Sequence, residues 1–147
     1  MLHAAALLHD IGWSVSGSRH HKIAAQMIRD HSWKLVPREW VDQVACMVRY
    51  HRRSPPGVHH RHYMALAHDQ KLRVGRMAAL LRVADGLDRS HLARVKQVKA
   101  QIESDKVHLK IMGAAELDSE VSAARKKADL FRIAYRKDLE IYPVLMT

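Results

Sequence analysis

The chain contains a single cysteine, Cys46, so no disulfide can form within it. One thiol in 147 residues fits a reducing cytoplasm. Its setting, Val44-Ala45-Cys46-Met47-Val48, reads as a small buried hydrophobe rather than a nucleophile. No apolar run approaches the roughly 18 residues that a membrane-spanning helix needs. The first residues show no basic segment leading into an apolar run and a cleavage site. A cytoplasmic protein without membrane attachment is therefore expected. Aromatic residues make up only 5% and do not alternate with basic ones, which ranks nucleic acid last among the partners. Glycine is scarce, and no glycine-rich phosphate loop occurs. Carboxylates are short as well: 15 Asp and Glu stand against 25 Lys and Arg, a formal net charge of +10.

The positive charge is concentrated. Between Arg19 and Arg82 there are 13 Lys and Arg against 4 Asp and Glu, which accounts for nearly all of the excess. A field of this sign favours a polyanionic partner: inorganic polyphosphate, a nucleotide, nucleic acid or an acidic protein surface. A merely solvated basic surface is the competing reading. The apolar content of 48% is enough for a packed core, and the length suits one domain, or one domain with an appendage.

Hydrophobic spacing divides the chain. Met1 to Asp10 reads as the end of an apolar helix, with Gly12 suited to its C′ position. The helix begins abruptly, which raises the expectation of upstream sequence and of an apolar groove beside Leu7 and Leu8. That groove would be filled by another subunit, the appendage or an upstream polypeptide. Trp13 to Ser18 reads as a loop. Arg19 to His31 reads as a helix with Ile23, Met27, Ala24 and Ile28 inward. A third helix runs from Pro37 to about Tyr50, with Trp40, Val41, Val44 and Val48 at helical spacing. Val58 to Asp69 carries four histidines and reads as a loop. Gln70 to Ser90 reads as a long helix with an apolar stripe of Leu72, Ala79, Leu80, Val83 and Leu87. Gly75 within it predicts a close helix contact.

After Ala93 the period changes from helical to alternating. Val95 to Ile102 and Val107 to Ile111 read as a β-hairpin about the turn Glu103 to Lys106. Leu117 to Ala134 reads as one amphipathic helix capped by Asp118 or Ser119. Glu140-Ile141-Tyr142-Pro143 reads as a short edge strand, because proline cannot occupy a central one. The expected fold is mainly α: a helical bundle over residues 1–92, then a small α+β appendage over 93–147.

The ligand candidates are His9, Asp10, His20 or His21, His51 and Asp85, each at or near a predicted helix end. Imidazole and carboxylate donors suit Mn²⁺, Fe²⁺, Co²⁺, Ni²⁺ or Zn²⁺. A metal so held activates water and draws charge from a phosphoryl oxygen. Singly, a helix-end histidine is more often a cap or a hydrogen-bonded core group. The order His-Asp, His, His, Asp says more.

That order resembles the HD superfamily of metal-dependent phosphohydrolases, which implies that the helical bundle of residues 1–92 is HD-like. The segments Ala5–Gly12, His20-His21-Lys22, Val48–Ser54 and Leu80–His91, together with the tail, resemble more narrowly the C-terminal region of the exopolyphosphatase/guanosine pentaphosphate phosphatase family. The resemblance covers essentially the whole chain. It implies His9, Asp10, His21, His51 and Asp85 as metal ligands. It also implies a polyphosphate- or phosphate-binding role for His20, Arg49, Arg52, Arg53, Arg73, Arg76 and Arg82, and a part in subunit assembly as a homo-oligomer or with an upstream polypeptide. Family members carry their phosphatase chemistry in actin-like domains whose motifs do not occur here, so no residue is assigned to catalysis. HD hydrolases usually place a first ligand histidine upstream of the His-Asp pair. His3 lies on a different helix face, so the metal site is expected to be incomplete or completed by another chain. The alternative is a stand-alone metal-dependent phosphohydrolase acting on nucleotides or phosphate esters.

Overall fold

A computed structural model describes residues 1–113 and 116–145. Helix accounts for 52% of the chain, so the mainly α expectation holds, and a small three-stranded mixed sheet lies near the C-terminus. The elements are α1 (Leu2–Leu8), a 3₁₀ turn (Ile11–Ser14), α2 (His20–Asp30), α3 (Arg38–Arg49), α4 (Arg61–Met64), α5 (His68–Leu87), β1 (Val95–Ile102), β2 (Lys106–Gly113), α6 (Asp118–Lys126), α7 (Asp129–Tyr135) and β3 (Asp138–Leu145). They form two compact units, Met1–Leu81 and the residues from Arg82 onward. Among the described residues no helix is long and apolar enough to cross a membrane.

In the first unit α2 packs on α3, α1 on α3, and the 3₁₀ turn on α2. The buried stripe of α3 is Val41, Val44, Ala45 and Val48, the i, i+3, i+4, i+7 pattern of one helix face. Its counterpart on α2 is Ala24, Ala25 and Ile28, and small residues there let the backbones approach. Met27 and Trp40, expected inward, are 41% and 47% exposed. Each directly neighbours a stripe residue in sequence, about 100° round the helix, and apolarity alone misassigns it. Leu80 of α5 is exposed for the same reason, beside buried Ala79; Leu72 is exposed as well, and Val74, Ala78 and Ala79 are buried. Cys46 is fully buried, and burial pushes its thiol pKa up, as suits a packing residue.

Two glycines work differently from expectation. Gly12 has no left-handed backbone. It is buried where the 3₁₀ turn crosses α2, and a Cβ would overlap the His20 carbonyl and lie 2.8 Å from the Ala24 nitrogen. Gly75, expected at a helix contact, has open space where a Cβ would stand. The close contact belongs to Gly86, where a Cβ would lie 2.7 Å from the Ala124 nitrogen.

In the second unit β1 and β2 form the expected antiparallel hairpin, with Val98 opposite Ile111 and Ile102 opposite Val107. Strand β3 pairs with β2 in parallel, Leu109 opposite Ile141 and Ile111 opposite Pro143. A parallel return needs a crossover, and α6 and α7 supply it. Sheet order β1-β2-β3 leaves Pro143 on an edge, where its missing N–H costs no ladder bond. One face of the sheet joins Val83, Leu87, Leu117, Val121 and Ala124 around Ile111 and Ile141. The single amphipathic helix expected from Leu117 to Ala134 is two helices, separated at Lys127 and Ala128. Leu117 occupies the N-cap of α6, and no side chain caps it; Ser119 instead donates to Glu120.

Candidate functional site

Three helix ends meet in the first unit. Asp10 follows the His9 C-cap of α1, His20 opens α2, and His51 follows the C-cap of α3. Each histidine here bonds the carbonyl three residues before it. His9 Nδ1 lies 2.7 Å from the Ala6 oxygen, His20 Nδ1 2.7 Å from Gly17, and His51 Nδ1 2.6 Å from Val48. A carbonyl only accepts, so Nδ1 carries the proton in each ring and a neutral ring offers its Nε2 lone pair. Those lone pairs converge. His20 Nε2 is 3.3 Å from Asp10 Oδ1, His51 Nε2 is 3.9 Å from the same oxygen, and His9 Nε2 is 3.3 Å from Asp10 Oδ2. The Nε2 atoms of His20 and His51 are 3.2 Å apart.

Burial raises the cost of this arrangement. His20 and His51 side chains are 3% and 1% exposed, Asp10 31%. Acceptors facing one another in a dry place repel unless a proton or a cation lies between them. Asp10, His20 and His51 supply ligand atoms mutually within 4.8 Å, and this group could hold a metal ion. Trp13 stacks on the His20 ring, with the ring centroids 4.7 Å apart. The sequence reading missed Trp13, together with the carbonyls of Ala6, Gly17 and Val48. The recurring three-residue offset at helix ends is the signal that could have found the carbonyls.

His20 and His21 face different surroundings. His20 joins Asp10 and His51, whereas the preferred ligand assignment named His21. The His21 ring is 4% exposed, its Nδ1 has no hydrogen-bond partner, and its pKa is lowered to about 4. Burial is the main cause, followed by the charges of Arg52, His20, Arg49 and Lys22. His21 therefore remains neutral at physiological pH. It lines a cavity of about 360 Å³ with Arg19, Lys22, Arg49, Arg52 and Arg53. Arg52 connects this cavity to the histidine cluster, its Nη1 placed to donate to His20 Nε2 at 3.4 Å.

The other candidates are used differently. Arg73 bonds Gln43 at 3.0 Å and pairs with Asp69 on its own helix. Arg76 is exposed on α5. Arg82 and Asp85 belong to the second unit. The Arg82 side chain is 4% exposed and is bound by Asp129 at 2.7 Å, so its guanidinium is already engaged. The Asp85 carboxylate pairs with Lys127.

Comparison with curated proteins gives no match. A family model described as Ppx/GppA phosphatase, domain III, matches residues 1–129. That span takes in the three histidines, Asp10, the basic cavity and most of the second unit. The chain belongs to the Ppx/GppA phosphatase family, as its domain III.

Proposed function

We propose that this domain binds polyphosphate or another phosphate-rich anion and supports assembly with other domains or subunits, rather than hydrolysing the anion itself. The observation that carries this reading is the gathering of Arg19, Lys22, Arg49, Arg52 and Arg53 around one cavity with no carboxylate on its walls. Arginine forks match phosphate oxygens in geometry as well as charge. The description of a third domain fits an assembly role, since such a domain works beside others. Electrophoretic or fluorescence titration with long-chain polyphosphate tests the binding. Affinity should fall steeply between about 50 and 200 mM salt, as expected when several cations release counterions together. Absence of binding at low salt rules the reading out. Sedimentation of the chain as a monomer at all concentrations counts against homo-oligomer assembly.

One observation favours a second reading, that of a metal-dependent phosphohydrolase. The Asp10, His20 and His51 donors fit a divalent transition metal such as Mn²⁺, Fe²⁺, Co²⁺, Ni²⁺ or Zn²⁺. Such an ion would supply a polarised water and a Lewis acid. The chain's own residues would hold the ion and, through Arg49 and Arg52, position a phosphate. Metal analysis of protein prepared without chelator checks the loading, and Asp10→Asn should lower metal affinity at least tenfold. If added Mn²⁺, Co²⁺ or Ni²⁺ neither binds nor produces hydrolysis of a nucleotide or phosphate ester, this second reading fails.

A further inference from the structure

The sheet of the second unit has two outer strands, and their free edges differ. Strand β3 carries Pro143, which has no N–H to offer a further strand. Strand β1 runs 8 residues without a proline, and among the described residues nothing pairs with its outer edge. Its backbone groups can be sorted. The Glu103 N–H bonds the Lys106 carbonyl at 2.9 Å where the hairpin closes. Bonding alternates along an antiparallel ladder, so Gln97, Lys99 and Gln101 bond β2. Val98, Ala100 and Ile102 turn their N–H and C=O groups to the open edge.

The same three residues lie on the apolar face of the sheet, opposite Ile111, Leu109 and Val107. On β2 that face is covered, and Val107 and Ile111 are buried. On β1 it is bare: Val98 is 46% exposed and Ile102 72%. Helices α6 and α7 pack against β3 instead. An edge whose outward backbone groups and bare apolar side chains belong to the same residues is a template for another strand.

A second copy of β1 fits this edge in a self-complementary register. Antiparallel pairing about a two-fold axis at Ala100 sets Val98 opposite the partner's Ile102, and Ala100 opposite the partner's Ala100. These are the residues whose N–H and C=O groups face outward, so the ladder's alternation continues across the seam. Lys99 then meets the partner's Gln101, with the partner's Glu103 next along the same face, and no like charges stand opposite. The irregularity between Val95 and Gln97 lies outside the paired stretch. From Arg82 onward 13 Lys and Arg are nearly balanced by 10 Asp and Glu, so this end of the chain carries little of the +10 that would keep two copies apart.

We propose that the chain self-associates through β1, two copies joining their sheets edge to edge about Ala100. This rests on the assembly part of the proposed function and gives it a surface, a partner and a register. A strand pair buries less than the roughly 1,200 Å² of a standard interface, so the dimer is weak and exchanges readily.

Hydrogen exchange of the whole chain at rising protein concentration tests this without any variant. Protection should grow at the amides of Val98, Ala100 and Ile102 and stay level at Gln97, Lys99 and Gln101. Sedimentation equilibrium is the second arm. Ala100→Pro removes an outward N–H, leaves the β2 ladder its donors, and should weaken self-association at least tenfold. Cross-linking reads the register. Paired about Ala100, the two Ala100 Cα atoms lie about 5.5 Å apart, within reach of a disulfide. Ala100→Cys should therefore oxidise to a dimer at least tenfold faster than Ile102→Cys, whose mate is the partner's Val98; Cys46 is buried and does not compete. If the chain dimerises with no change in protection at 98, 100 and 102, and Ala100→Pro dimerises as tightly, pairing through β1 is wrong while assembly through another surface survives. Equal cross-linking rates would overturn the register about Ala100. A chain that stays monomeric at every concentration sinks this inference and the homo-oligomer reading together.

Discussion

In the second unit, buried ionic groups are held one by one within the packed core. Arg82, 3% exposed, is gripped by Asp129, and Glu120, fully buried, accepts at one carboxyl oxygen from Ser119, which holds its carboxyl below the usual range, while its other oxygen has no hydrogen-bond partner. In the first unit, buried polar groups converge instead. The Nε2 atoms of His20 and His51 lie 3.2 Å apart beside a carboxylate oxygen, and Arg52 Nη1 is 3.4 Å from His20 Nε2. An unpaired buried group costs about 1–3 kcal/mol wherever it occurs. Donor atoms from three helix ends gathered about one point are what a bound cation requires. The contrast separates dispersed charge pairs from a cluster that shares one centre.

The largest expected effect lies in the second unit. Ile111 is fully buried at the centre of the sheet's apolar face, against residues of α5 and α6. Ile111→Ala should cost about 3–4 kcal/mol in chemical denaturation, combining lost transfer energy with a cavity that the paired strands cannot close. Metal and polyphosphate affinities of the folded fraction should stay unchanged. If they fall along with stability, the separation of roles between the two units breaks.

The next effect belongs to the first unit and depends on pH. His21 titrates near 6.5 when unfolded and at about 4 when folded. Its folded pKa is depressed, so the unfolded chain binds the proton first. Stability should therefore fall as pH drops from about 6.5 to 4 and level off below that, losing about 3 kcal/mol in total from this group. His21→Gln should flatten that part of the pH profile. A slope unchanged by the substitution would mean that His21 is not the group responsible.

The same contrast explains what could be read from sequence. Periodicity reveals α2, α3, α5 and the hairpin, because one buried face repeats at 3.6 or 2 residues. The second unit follows this rule closely: Val107, Ile111 and Ile141 are inward where alternation puts them. Its parallel return of β3 is less visible, since Leu139 to Val144 carries no mark of which neighbour it joins. The break between α6 and α7 at Lys127 lacks a glycine or proline signal. In the first unit the His9-Asp10 pair and His51 mark the site, but the choice between His20 and His21 is not local. Both are histidines at a helix start, about 100° apart. Only the packing of α2 against the 3₁₀ turn and α3, enforced by Gly12, turns His20 toward Asp10. Likewise an arginine's sequence neighbourhood does not distinguish Arg52, on a cavity wall, from Arg82, which is committed to Asp129.

The smallest effect tests whether matched charge in the second unit stabilises it merely by being matched. Arg132 and Asp138 make a close pair at 2.6 Å, yet their side chains are 75% and 58% exposed. Water already solvates both groups, and holding two flexible side chains in register costs entropy. Arg132→Gln should therefore change stability by less than about 0.5 kcal/mol, a difference that disappears at high salt. Asp129→Asn also removes a matched carboxylate, but this one takes three hydrogen bonds from the buried Arg82 guanidinium, and its loss should cost about 2 kcal/mol or more. Denaturation of the two variants side by side isolates burial as the variable. Equal losses would mean that ion pairing stabilises this unit irrespective of burial.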